Sequence, residues 1–68
     1  MDAIKVLRYL AGEYRTQIEQ CTEAVTSGNL KDFSDYRHTC GRILGLERAL
    51  EVVLETLNRF ERGEDQDD

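Results

Sequence analysis

The sequence predicts an all-α fold, an antiparallel two-helix hairpin with a longer second helix, completed by self-association. Three observations lead there. The 68 residues include no Pro, no Trp and only five Gly, a composition that favours long helices over a turn-rich β fold. Two series of apolar residues recur at alternating spacings of three and four, the seam of an amphipathic helix. One short cluster, Ser27-Gly28-Asn29, separates the two series.

The first seam is Ile4, Leu7, Ala11, Tyr14, Ile18, Cys21 and Val25. Val6, Leu10 and Ala24 widen it on one side, and Lys5, Glu13, Arg15, Glu19, Gln20 and Glu23 fill the rest. Asp2 is a suitable N-cap, since its carboxylate can accept from a free first-turn N–H. Gly28 suits the left-handed residue that ends a helix. Helix 1 is expected over about 3–26, with the turn at 27–29.

The second seam is Ile43, Leu46, Leu50, Val53, Leu57 and Phe60, with Leu30, Phe33, Tyr36 and Cys40 upstream. Asn29 is the expected cap, and Asp32 sits where the helix dipole favours negative charge. Arg59 and Arg62 suit the last turns, and Gly63 ends the helix before an acidic tail, 64–68. Helix 2 is expected over about 30–62. Glu55–Arg59 and Arg48–Glu51 are placed to lace its exposed side.

A connection this short folds the helices back on each other. Pairing outward from Gly28 sets Cys21 beside Tyr36, Ile18 beside Cys40, Tyr14 beside Ile43, and Ala11 beside Leu46. Leu7 and Ile4 then lie beside Leu50 and Val53. Leu57 and Phe60 extend past helix 1 without an intrachain partner.

Two glycines sit inside the second helix, at 41 and 45. Each costs a helix about 1 kcal/mol relative to Ala, so the pair needs a reason. Gly41, Gly45, Ala49 and Val52 make a strip of small residues roughly 120° from the seam, at 100° per residue. Small residues at that spacing let a second backbone approach closely. The strip, with Leu57 and Phe60, is therefore the expected interaction surface. The competing reading is a break at Gly41 that gives three shorter helices. The apolar spacing crosses 41 and 45 without a change of phase, which favours one continuous helix.

A unit of this size holds a core worth only about 3–5 kcal/mol, so small domains commonly lean on disulfides, metals or other subunits. Cys21 and Cys40 are too few for a disulfide framework and are expected reduced and buried on the seams. His38 and Cys40 are two residues apart and point to different sides of a helix, so a metal site is not expected. No catalytic acid, positioned nucleophile or phosphate loop is present, and no cofactor is expected. Lys5 and Arg8 break the first apolar run, so neither a signal peptide nor a membrane span is read there.

The net charge is −5, and Glu64, Asp65, Asp67 and Asp68 supply most of it. The nearly neutral remainder lacks the basic stripe that direct nucleic-acid binding needs. The tail reads as a disordered, solvating end, with attraction to a basic partner as the sharper alternative.

Residues 27–61 resemble a recurring pattern in small proteins of tailed bacteriophages. That pattern has a Gly-centred turn, a Tyr, then G-x-I-x-G-L-x-x-A and an amphipathic helical tail. Gly28, Tyr36, Gly41, Ile43, Gly45, Leu46 and Ala49 meet it. The resemblance covers the second half of the chain and none of helix 1. It implies a phage origin, a place in the host cytoplasm or virion, and a structural or capsid-associated role beside other phage structural proteins. It brings no catalytic residues with it. The alternative function is an acidic regulatory module that inhibits a host nucleic-acid-handling enzyme.

Overall fold

The computed structural model describes residues 2–63. It is all-α, with α1 over Ala3–Thr26 and α2 over Phe33–Glu61 packed along each other as a hairpin. Its principal dimensions are 50 × 16 × 15 Å. The tail read as disordered, 64–68, lies outside the described residues.

The ends of α1 follow the local chemistry. The Asp2 side chain accepts from the Ile4 N–H at 3.2 Å, satisfying one of the donors every helix leaves free at its start. At the other end the Ser27 N–H donates to the Glu23 carbonyl at 2.9 Å. Gly28 then turns the chain at φ +76°, a conformation that costs Gly little.

The start of α2 corrects the expectation. The connection runs from 27 to 32, and the cap is Asp32 rather than Asn29. Asp32 accepts from the Asp35 N–H at 2.8 Å, and the Asp35 carboxylate accepts from the Lys31 N–H at 3.2 Å. This two-way arrangement, close to a capping box, satisfies two backbone donors. It leaves Leu30 and Lys31 outside the helix. At the far end the Arg62 N–H donates to the Asn58 carbonyl and Gly63 takes φ +78°, so α2 ends at Glu61. Between these ends α2 runs unbroken through Gly41 and Gly45.

The longer connection shifts the register. Pairing from Gly28 places Arg8 opposite Ala49, twelve residues short of Glu61. That is about 18 Å along a helix, too far for the two side chains to meet. Yet Arg8 Nη2 donates to Glu61 Oε2 at 2.6 Å. Near the turn, Ala24 shares a groove with His38 and Thr39. Helix α2 has therefore slid so that its first turn projects past the end of α1. Phe33, 70% exposed, stands on that projection. Leu57 and Phe60 are half-buried instead of projecting uncovered, because the N-terminal part of α1 now runs beside them.

The core is thin. Among the described residues Ala11, at 2% exposure, is the buried hydrophobic residue, and the other seam residues on both helices are mostly half-buried. Cys21 and Cys40 are free thiols but only half-buried. Two helices alone cannot enclose a side chain from all directions.

Candidate interaction surfaces

Three surfaces emerge from this packing. The first is a groove of about 510 Å³ along one side of the helix pair. Ile18 from α1 and Leu50 and Leu54 from α2 give it an apolar floor. Glu19, Glu47, Glu51 and Arg15 line its rim, so three carboxylates face one guanidinium. Arg48 donates to Glu51 at 2.7 Å, an exposed pair three residues apart on α2.

The second is a smaller groove of about 230 Å³, lined by Gln17, Gln20, Cys21, Ala24, His38, Thr39 and Arg42. Its lining is polar and apolar in equal measure. His38 and Cys21 both reach it, but among the described residues no three His, Cys, Asp or Glu side chains group to hold a metal ion.

The third is the side of α2 turned away from α1. Gly41, Gly45 and Val52 are exposed there, and a methyl group added at either glycine meets no heavy atom within 4 Å. Ala49 is half-buried at the edge of this strip, and Val52 is 48% exposed. Of the six expected interaction residues, the structure thus leaves Gly41, Gly45 and Val52 open with Ala49 beside them. Leu57 and Phe60 belong to the α1-facing side.

The strip has a member that the small-residue pattern omits. Leu44 lies one turn beyond Gly41 and is 66% exposed. Arg37, Arg48 and Arg59 share the same side, spaced by eleven residues, a repeat that nearly closes on three helical turns, and the exposed Glu55 lies among them. Glu55 and Arg59, expected to pair, do not come within ion-pairing distance among the described residues. The groove floor of Ile18, Leu50 and Leu54 was also not legible beforehand, since it exists only once the two seams are in register.

Two exposed phenols carry local perturbations. Tyr9 has its pKa raised, first by a hydrogen bond with Glu13 and then by that carboxylate's charge. Tyr36 is raised by a hydrogen bond with the Cys40 thiol one turn on. Phe33 stacks on Tyr36 with ring centroids 6.1 Å apart. These groups form an aromatic tip at the turn end and hold no reacting constellation.

No helix of the described residues is long and apolar enough to cross a membrane. The fold and surfaces define an all-α hairpin with two unlike apolar surfaces. Set against known protein families, curated proteins and solved structures, the chain matches none of them.

Proposed function

We propose that this chain is a non-enzymatic helical protein that works by assembly, as a structural or capsid-associated component of a tailed bacteriophage. The observation that carries the assembly reading is the thin core. With Ala11 the buried hydrophobic residue of the described chain, the hairpin resembles half of a helical bundle, and further helices would finish the burial. The exposed Leu44 and Val52 supply apolar surface for that contact. The phage assignment rests on the resemblance of residues 27–61.

A second reading is supported by the carboxylates on the groove rim, Glu19, Glu47 and Glu51. In that reading the chain is an acidic module that occupies a basic site on a host enzyme. One pair of measurements separates the two. Light scattering on the purified protein over a wide concentration range is expected to give a mass at a multiple of 7.9 kDa. Mass spectrometry of purified virions is expected to find the chain in many copies. A monomer at every concentration, absent from virions and co-purifying with a host enzyme, would transfer the assignment to the second reading.

A further inference from the structure

The groove and the α2 strip are complementary surfaces on one chain. The groove has an apolar floor, Ile18, Leu50 and Leu54, beneath the carboxylates of Glu19, Glu47 and Glu51. The strip has exposed apolar side chains, Leu44 and Val52, on the side that carries Arg37, Arg48 and Arg59, with the exposed Glu55 as one acid among them. Gly41 and Gly45 make the strip narrow, with open space where their side chains would stand.

We infer that the acid-rimmed groove of one copy receives the arginine-bearing α2 strip of the next. This rests on the assembly reading and names the surfaces it uses. Charge selects the pairing. Groove against groove across a two-fold axis would bring Glu19, Glu47 and Glu51 near their own counterparts, and strip against strip would oppose two faces that each carry three arginines against the single Glu55. Like charges so placed disfavour both contacts. Groove against strip sets guanidinium groups among carboxylates and apolar side chains on an apolar floor. Arg15 is the one basic residue on the rim and leaves the acidic excess in place. The existing Arg48–Glu51 pair is exposed on both sides, and such pairs hold side chains weakly enough to exchange partners.

A contact between two different surfaces does not close on itself as a two-fold dimer does. Each added copy presents a fresh groove and a fresh strip, so the assembly grows into a ring or a filament. The glycines inside α2 gain a purpose in this arrangement: without Cβ atoms, the strip can bring its backbone down toward the groove floor.

The test uses two full-length variants. Glu19→Lys with Glu47→Lys reverses most of the groove rim at exposed positions and leaves the strip, with its Arg48–Glu51 pair, intact. Gly41→Gln with Gly45→Gln fills the strip with neutral side chains and leaves the groove intact. Circular dichroism checks that both remain helical, and sedimentation velocity reads mass. Each variant alone is expected to be a monomer, while an equimolar mixture forms a 1:1 complex of twice 7.9 kDa that does not grow. Wild-type assembly is also expected to weaken from low salt to about 0.5 M, where screening is strong. Wild-type oligomers whose variants fail to complement each other, or that strengthen with salt, would overturn this docking and leave assembly standing. A wild-type chain that is monomeric throughout would overturn both.

Discussion

Both sides of α2 carry apolar residues, more of them on the side facing α1, and the two sides are in opposite situations. On the side facing α1, Leu46, Leu50, Val53, Leu57 and Phe60 are half-buried within the chain. On the other side Leu44 and Val52 stay exposed, flanked by glycines and arginines. An exposed Leu is ordinary by itself. A band of apolar and small residues on one side of a helix is not, because a second helix could cover it. Apolar periodicity shows which residues seek burial, while charge and residue size indicate what buries them.

The largest effect is expected on the inner side. Ala11→Asp places an unpaired charge at the most buried position in the hairpin, and such a change costs at least about 3 kcal/mol. A thermal melt followed by circular dichroism is expected to show the helical signal lost. Leu57→Asp is expected to destabilise in the same sense, since α1 partly covers that residue. If Leu57→Asp left the fold intact and removed only assembly, the uncovered overhang read from the sequence would be restored.

Smaller effects sharpen the picture. Arg8→Ala removes the ion pair that marks the register, whose partners are 62% and 40% exposed. Screening by water limits that pair to below about 1 kcal/mol, so a small drop in denaturation midpoint is expected. Leu44→Asp on the outer side is expected to change monomer stability by no more than about 0.5 kcal/mol while abolishing oligomers in sedimentation. A large loss of stability in that variant would mean that Leu44 is packed within the chain.

The smallest effect is local. The hydrogen bond with Glu13 holds the Tyr9 phenol above its ordinary pKa, so Glu13→Ala is expected to lower the midpoint of its ultraviolet titration. The sign for stability follows from the raised folded-state value. The contribution is complete below the unfolded pKa and disappears as pH rises through the folded one. An unchanged Tyr9 midpoint would remove Glu13 as the cause.

Much of this fold was legible because helix ends are set locally. Asp2 and Ser27-Gly28 bound α1 at the expected residues. The start of α2 was harder, because Asn29 and Asp32 both suit an N-cap. The carboxylate of Asp35, which accepts from the Lys31 N–H, gives Asp32 the advantage. Register was beyond the pattern altogether. A heptad seam looks the same after a slide of seven residues, so apolar residues still oppose apolar residues in the wrong alignment. The glycine strip needed only one helix and was visible in advance. The groove needed two helices in their true alignment and was not.

The measurement that bears most directly on the central claim pairs stability with mass in Gly41→Ala/Gly45→Ala. Both positions have open space around an added methyl group, so the isolated hairpin is expected to gain up to about 1–2 kcal/mol from helix propensity. Where a second helix lies against the strip, the same methyl groups are overpacked and cost roughly 1–3 kcal/mol. The variant is therefore expected to melt higher when dilute and to show a lower oligomer mass than wild type at matched concentration. A variant that melts higher and stays fully assembled would contradict the account.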